Sequence, residues 1–299
     1  MSNFKNRVFG CVMVKALNAS YNADFSQQPR RLPNGTVYAT DKVLKYSIRN
    51  YFKQALGERV FYFSSHNKDF QPRNLDETYA YHFDAKTAKD KKKVLENLFT
   101  CLDVRLFGGT YASKNANLSI HGSCQITPAL NRFPEQMIYS EQIMSPFRNS
   151  SKSDSMQTTL GTQSRLQEGH YVHHFSLNPK NIESFKEQLP NLQLLSQEDV
   201  RKLKEALRRG VTYYDSASKI GCENELMIWL ELKEGEQMVL PSFVELIEMT
   251  EDKVLDLSAL SRILQRPDVL AATEKLEIYT NIPKESIKGL MEHAQLLAL

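Results

Sequence analysis

The chain has few cysteines and no long apolar run, and each shortage excludes a class of protein. Its four cysteines, Cys11, Cys101, Cys124 and Cys222, are far apart and form no Cys-x-x-Cys pair, which argues against a thiolate zinc site or a disulfide framework. No stretch approaches the roughly 20 apolar residues that a bilayer-spanning helix needs. We therefore expect a soluble protein without a membrane partner, in the reducing cytoplasm.

The apolar run at 8–14 is the nearest approach to a signal peptide, because Lys5 and Arg7 precede it and small residues follow it. It is at the short limit for such a segment and is interrupted by Gly10. A buried first strand is the better interpretation.

An excess of charge of one sign is also missing. The chain has 38 Lys and Arg against 35 Asp and Glu, and its net charge is +3. This balance is too mild to indicate a nucleic-acid partner, so any basic surface must come from local arrangement. With 299 residues, 41% of them hydrophobic, the chain is long enough for a packed core.

The periodic segments follow one another in the order strand, helix, strand, strand, helix, strand. The predicted strands are 7–17, 118–126, 169–177 and 224–232, and the predicted helices are 41–56, capped by Thr40 or Asp41, and 196–209. Residues 58–93 form an insertion that leads into a further helix, and residues after Gly235 are predicted to be helices and short loops. The pattern predicts an α+β fold with a ferredoxin-like βαββαβ core, as in RNA-recognition (RRM) domains.

The first predicted helix has a basic face. Four cations, Lys42, Lys45, Arg49 and Lys53, recur at spacings of three, four and four and fall within an arc of about 80°. The preceding loop adds Arg30 and Arg31. No acid interrupts 42–56, whereas ordinary exposed helices usually pair Glu with Lys. These six residues are predicted to bind phosphates; the alternative is an ordinary solvated face.

Residues 138–168 form a long excursion whose centre, 149–155, has no apolar residue. We predict an extended hairpin arm. Its apolar side chains, Met144, Phe147, Met156 and Leu160, could wedge between stacked bases or could pack the arm locally, and the sequence favours neither.

No catalytic residue, metal site or cofactor is predicted. His170, His173 and His174 share one strand, but alternation puts His173 on the other face from the other two, so the three cannot converge on a metal. Asp24, in the long first loop, has no second carboxylate beside it for a two-metal site.

Four sequence blocks resemble the CRISPR-associated backbone subunits of type I (Cascade) complexes, most closely those of subtype I-B. They are NADFSQQPRRLPNGTVYATDKVLKYSIRNY at 22–51, LDVRLFGGT at 102–110, LSIHGSCQITPALN at 118–131, and the segment 158–171. Each block alone is unspecific, but their order together is specific.

The resemblance implies a hand-like protein that binds CRISPR RNA (crRNA). Its parts would be the palm at 1–57, 103–137 and 169–235, a web or finger insertion at 58–102, a thumb hairpin at 138–168 and a helical extension of the palm at 236–299. The loop and helix cations would hold guide phosphates, and Gln125, Asn131 and Arg132 would line the palm. The implied partners are crRNA, target DNA through the guide, further copies of the chain and other Cascade subunits.

Two alternatives stay open. Related subunits of type III complexes cut RNA with a loop aspartate, and Asp24 would take that role here. A general binder of single-stranded RNA would bind without guide dependence or regular stacking.

Overall fold

The computed structural model of the chain describes residues 2–113, 116–148 and 158–299. Its strands, in chain order, are β1 Val8–Ala19, β2 Tyr38–Ala39, β3 Gly108–Ala112, β4 Asn117–His121, β5 Cys124–Ile126, β6 Ala129–Asn131, β7 Ile138–Arg148, β8 Thr158–Leu177, β9 Cys222–Leu232, β10 Glu248–Met249, β11 Leu255–Asp256, β12 Thr273–Thr280, β13 Ile287–Lys288 and β14 Gln295–Leu297. The α-helices are α1 Asp41–Gln54, α2 Leu75–His82, α3 Lys91–Phe99, α4 Leu102–Phe107, α5 Lys180–Glu183, α6 Gln197–Arg209, α7 Ser258–Leu264 and α8 Pro267–Ala272.

One large sheet organises this α+β fold. Its main path runs β14-β12-β9-β1-β8-β6-β2, and β5 and β7 also pair with β8. Strand β1 is antiparallel to β8 on one side, with Val12 opposite His173, and antiparallel to β9 on the other, with Val12 opposite Met227. The predicted first and last strands of the core are therefore neighbours.

The sheet is covered on both faces. Val12 and Val14 of β1 belong to an apolar cluster with the helices α1, α3 and α6, whereas Phe9, Cys11 and Met13 belong to a second cluster with residues after 240. Because alternate residues of a strand point to opposite faces, the run from Val8 to Val14 is apolar at every position and buried throughout. Gly10 permits close packing within this sheet, since a Cβ there would lie 2.2 Å from the carbonyl oxygen of Ile228.

The predicted strand at 118–126 is wrong as one element. It is two strands, β4 paired with β3 and β5 paired with β8. The chain turns at Gly122, where a Cβ would lie 2.2 Å from the backbone nitrogen of Gly108. The close approach of the Gly122 and Gly108 backbones therefore divides the segment into two strands, and the apolar pattern of the sequence does not reveal this approach.

The prediction that 236–299 is helical is also wrong in large part. Helix α7 lies in the apolar repeat at 255–264, but β12 extends the main sheet antiparallel to β9, and β14 pairs with β12. Without β12, strand β9 would present an edge of unpaired backbone groups. Tertiary pairing therefore sets the structure of this segment, and Leu276 and Ile278 fill the second apolar cluster.

The segment 138–168 contains an antiparallel pair. Strand β7 pairs with the first half of β8, from Ile138 opposite Leu166 to Arg148 opposite Thr158. Strand β8 continues to Leu177 through the middle of the main sheet. We call the paired residues 138–148 and 158–166 the arm, which is thus a direct extension of a core strand.

A buried carboxylate joins the insertion to α1. Asp103 is fully buried. Its Oδ1 accepts a hydrogen bond from the backbone N–H of Phe61, at 2.8 Å. Its Oδ2 accepts from the backbone N–H of Tyr62, at 2.9 Å, and from Nε of Arg49, at 3.1 Å.

No described helix is long and apolar enough to cross a bilayer.

Removing this carboxylate should destabilise the fold strongly. We expect Asp103→Ala to lower the free energy of unfolding by about 3–5 kcal/mol, because the Arg49 charge and two buried amides lose their partner. Urea unfolding monitored by circular dichroism measures the change. Glu96→Ala, which breaks an exposed pair with Lys93, is the matched control and should have a much smaller effect. Equal effects of the two substitutions would contradict the proposed role of Asp103.

Candidate nucleic-acid interface

The first loop, residues 20–37, is held in place at both ends. Asn22 Oδ1 accepts hydrogen bonds from the backbone N–H and the hydroxyl of Thr40, at 2.9 and 3.1 Å, so the start of the loop is tied to the N-cap of α1. At its other end the N–H of Val37 donates to Oε1 of Gln136. The loop is therefore a defined surface rather than a free linker.

Asp24 shapes a tight turn in this loop. Its Oδ1 accepts hydrogen bonds from the N–H groups of Ser26 and Gln28, at 2.8 and 3.0 Å. Such bonds from a side chain to the backbone ahead of it are typical of an Asx turn. Among the residues that the structure describes, no group of three or more His, Cys, Asp or Glu could hold a metal ion.

A hydrogen-bonded link joins the first loop to the arm. Gln28 Nε2 donates to the hydroxyl of Ser164, at 2.6 Å, and that hydroxyl lies 2.8 Å from the hydroxyl of Ser140. On the far side of the arm, Arg165 donates to the carbonyl oxygen of Asn18, at 2.9 Å. The base of the arm is thus bonded to the end of β1 and to the loop that follows it.

Between the first loop and the arm lies a groove of about 590 Å³. Six hydroxyl or amide side chains contribute to its lining, but most of the exposed lining surface is apolar. The lining residues are Ser20, Ala23, Gln27, Ile143, Gly161, Thr162, Gln163, Ser164, Ala217 and Ser218. The Ser20 hydroxyl is buried and has no hydrogen-bond partner among the described residues, and the same is true of Arg30 Nε in the first loop. Both atoms are shielded from solvent, so the exposed hydroxyl and amide groups of the lining are the ones that a phosphate or sugar oxygen would meet.

Three of the four α1 cations have partners within the protein. Lys45 binds Asp41, at 2.9 Å, and Arg49 binds the buried Asp103. The guanidinium of Arg49 also lies 5.2 Å from the ring centre of Phe107, and the ammonium of Lys53 lies 5.1 Å from that of Phe63. These distances are in the cation–π range.

The insertion lies against two of the four cations, Arg49 through Tyr62 and Lys53 through Phe63. Lys42 is exposed and has no ion-pair partner among the described residues, and Arg31 of the first loop is exposed as well. The phosphate-binding role of the six cations stays a prediction, but Asp103 and the rings of Phe107 and Phe63 already contact Arg49 and Lys53.

The predicted palm residues lie near one another in sequence but do not form one surface. Gln125 is exposed and its amide donates to the carbonyl oxygen of Gly122. Asn131 is buried, and its Oδ1 accepts from the N–H groups of Phe133 and His170. Arg132 is bonded to the carbonyl oxygen of Ile247 and to Glu248, at 3.1 and 2.7 Å, so it secures the segment after residue 240.

The arm exposes apolar side chains near the groove. Met144 and its neighbour Ile143 are exposed. Phe147 and Leu160 belong to β7 and β8, but their side chains, like the whole of Met156, lie outside the described residues. The wedge role of these four residues stays a prediction.

The three histidines of β8 do lie on both faces of the sheet. His173 faces the helices, where its Nδ1 donates to the carbonyl oxygen of Thr127, at 2.9 Å, and its Nε2 accepts from the hydroxyl of Tyr21, at 3.1 Å. His174 packs against the rings of Phe9 and Phe243 on the other face. Burial lowers the pKa of both His173 and His174 to about 4, against opposing backbone hydrogen bonds.

His170 forms an ion cluster that the sequence analysis missed. Its two ring nitrogens lie 2.5 Å from a carboxylate oxygen of Glu225 and 3.1 Å from one of Glu168, and Glu168 also binds Lys253. Burial opposes ionisation of Glu168, but hydrogen bonds from Lys253 and His170 hold its pKa below the usual value. The sequence could have indicated the pair of Glu168 and His170, because residues two apart in a strand lie on the same face. Glu225 and Lys253 come close only in the folded chain.

The buried histidines should make stability fall in acid. Their pKa is about 6.5 in an unfolded chain and about 4 here, so between these values the unfolded state binds more protons. The free energy of unfolding should therefore drop by about 1.4 kcal/mol per pH unit for each histidine as the pH falls from 6.5 to 4. Urea unfolding at several pH values measures this slope. His173→Gln should reduce this slope by the contribution of one histidine, about 1.4 kcal/mol per pH unit. An unchanged slope would contradict the lowered pKa of His173.

Comparisons with known proteins agree with this architecture. A family model described as CRISPR-associated protein Cas7 matches residues 6–262. Two similar solved chains come from structures titled "CRISPR RNA-guided surveillance complex, pre-nicking" and "CRISPR RNA-guided surveillance complex". The first is 12% identical with a TM-score of 0.57, covering 98% of this chain and 96% of that one. The second is 11% identical with a TM-score of 0.54, covering 93% and 90%. At these identities the likeness concerns the fold. No curated protein matches.

Proposed function

This chain belongs to the CRISPR-associated Cas7 family, and from that premise we propose that it is a non-catalytic backbone subunit of a type I CRISPR surveillance complex. In this proposal it binds the guide crRNA, assembles in several copies along it beside other Cascade subunits in the cytoplasm, and presents it for pairing with target DNA. Sequence pairing then supplies the specificity, and the protein holds the RNA backbone. Assignment to subtype I-B rests on the sequence resemblance alone.

The groove between the first loop and the arm carries the proposal. It is open, hydroxyl and amide side chains such as Gln27, Thr162 and Gln163 contribute to its lining, and the first loop that forms one of its sides also carries Arg30. Such groups bind phosphate and sugar oxygens without reading the base. A guide of any sequence could therefore occupy the groove.

The strand order supports a ferredoxin-like, RRM-type palm. The order β9-β1-β8-β5, with every neighbouring pair antiparallel and with α1 and α6 packed together on one face, is the order that a βαββαβ core requires. RRM domains bind RNA on the opposite face of the sheet. Here residues after 240 cover that face, which favours RNA binding at the first loop and arm instead.

The arm is proposed to act as the thumb. Exposed Met144 and Ile143 could insert between bases of the guide, with the cost of unstacking offset by backbone contacts in the groove. The bonds from Gln28 to Ser164 and from Arg165 to Asn18 would hold the arm at a fixed angle to the palm.

The hydrogen bonds of Asp24 favour a structural role for this residue over a catalytic one. Its Oδ1 is taken up by two backbone N–H groups of its own turn. We therefore prefer the backbone role to that of a loop-aspartate endoribonuclease.

The two arginines of the predicted interface should respond differently to substitution. Arg30→Ala should weaken binding of a guide RNA about tenfold or more, because Arg30 is only partly buried and forms no salt bridge among the described residues, so its guanidinium can bind a phosphate. Arg49→Ala should instead lower the melting temperature, because Arg49 is bound to the buried Asp103. Fluorescence anisotropy with labelled guide and thermal unfolding separate the two effects. A loss of RNA binding by Arg49→Ala at unchanged stability would contradict this division.

Co-expression with a CRISPR array tests the function itself. We expect the purified protein to carry guide RNA of uniform length in a particle containing several copies of the chain. RNA sequencing and mass photometry measure both properties, and expression without the array is the control. Heterogeneous RNA in both preparations would indicate a general single-strand binder, and an RNA-free monomer with the array would refute the proposal.

A further inference from the structure

The turn of the first loop occurs a second time in the chain, within the insertion. The segments are ADFSQQPR at 23–30 and HNKDFQPR at 66–73. Each begins its turn with an Asx residue, Asp24 or Asn67, and each leaves it through Gln-Pro-Arg. The arginine follows the Asx by six positions in both, as Arg30 and Arg73.

The hydrogen bonds of the two turns correspond one to one. The Asx oxygen accepts from the backbone N–H groups two and four positions ahead, at 2.8 and 3.0 Å for Asp24 and at 3.0 Å for both bonds of Asn67. The Asx N–H donates to the carbonyl oxygen of the glutamine, at 2.8 Å in the first turn and 2.9 Å in the second. A bridge closes each base, from Ala23 to Pro29 and from His66 to Pro72.

Both turns project a phenylalanine into solvent. Phe25 is 103% exposed and Phe70 is 87% exposed, although other aromatic residues of the insertion, such as Phe61 and Tyr79, are buried. Phe70 is also the residue that the turn holds at positive φ, at 59°, where Gln27 has 61° in the first turn. A bulky residue in this region is strained. Local stability therefore does not account for Phe70, either by burial or by backbone preference.

The surroundings of Phe70 match a nucleic-acid partner. The guanidinium of Arg73 lies 4.2 Å from the ring centre of the exposed Tyr81. The Cα atoms of Arg73 and Phe70 lie within about 11 Å of each other, because only three virtual bonds separate them. Lys68 adds an exposed cation and Asp69 an exposed carboxylate. Sites for single-stranded nucleic acid combine exposed aromatic rings, which stack on bases, with cations, which bind phosphates.

We infer that the turn at 66–73 is a second contact site for single-stranded nucleic acid, where Phe70 stacks on an unpaired base and Arg73 binds the backbone. The inference rests on the proposed function, because the matching turn belongs to the first loop. The two turns lie at opposite ends of α1, since Asn22 is bonded to Thr40 at its start and Lys53 contacts Phe63 of the insertion at its end. A helix of 14 residues is about 21 Å long, so the second site would bind bases beyond the reach of the groove.

Two substitutions at Phe70 separate binding from folding. Phe70→Asn removes the ring but suits positive φ, so stability should not fall, whereas binding of a labelled single-stranded oligonucleotide to the full chain should weaken at least about fivefold. Phe70→Trp should keep the affinity, and its emission should be quenched when a base stacks on the indole. Trp229 is fully buried, so its emission should stay constant. Val239→Ser and Val239→Trp, at an exposed apolar residue of the C-terminal region, are the matched controls.

The inference is overturned if Phe70→Asn binds the oligonucleotide as tightly as the natural chain, or if Phe70→Trp is not quenched at saturation. A change in self-association alone would identify the partner as a second copy of the chain and would also overturn it. Guide RNA that co-purifies with an unquenched Phe70→Trp protein means that this inference fails and the proposed function stands. Quenching of Phe70→Trp without co-purified guide RNA means that the second contact site exists and that the proposed function fails.

Discussion

Strand β1 is buried on both faces and hydrogen-bonded along both edges, and the rest of the structure depends on that placement. Its pairing with β8 and β9 brings the two ends of the core together. Because β8 runs on from the sheet into the arm, the same pairing sets the position of the arm relative to the first loop, which starts where β1 ends. The groove is therefore a consequence of how the central strand is buried.

A second constraint is the pairing of buried charge. Asp103 needs cationic and amide donors because an uncompensated carboxylate in the interior is costly. Arg49 meets that need, and the rings of Phe107 and Phe63 cover Arg49 and Lys53. A helix face that is basic in sequence thus packs in part between α1 and the insertion. Lys42 at the start of α1 and Arg31 in the first loop remain exposed.

The C-terminal segment has a comparable effect on the sheet. Strand β12 extends the sheet beyond β9, and residues after 240 bury the face that carries Phe9, Cys11 and Met13. The ion cluster of His170, Glu168, Glu225 and Lys253 joins that segment to the sheet. That face of the sheet is consequently covered, whereas the first loop and the arm carry exposed side chains such as Phe25 and Met144.

Local patterns determined what depends on near neighbours. The apolar run of β1, the amphipathic periods of α1 and α6, the apolar strand β9 and the family resemblance of the first 180 residues were all readable from the sequence, because burial of one strand or one helix face leaves a regular trace. Tertiary structure alone decided which cations stay open, how 118–126 divides and how 236–299 pairs. Those outcomes depend on partners distant in the chain, such as Asp103 for Arg49, Gly108 for Gly122 and β9 for β12, and the spacing of residues within one segment carries no information about them.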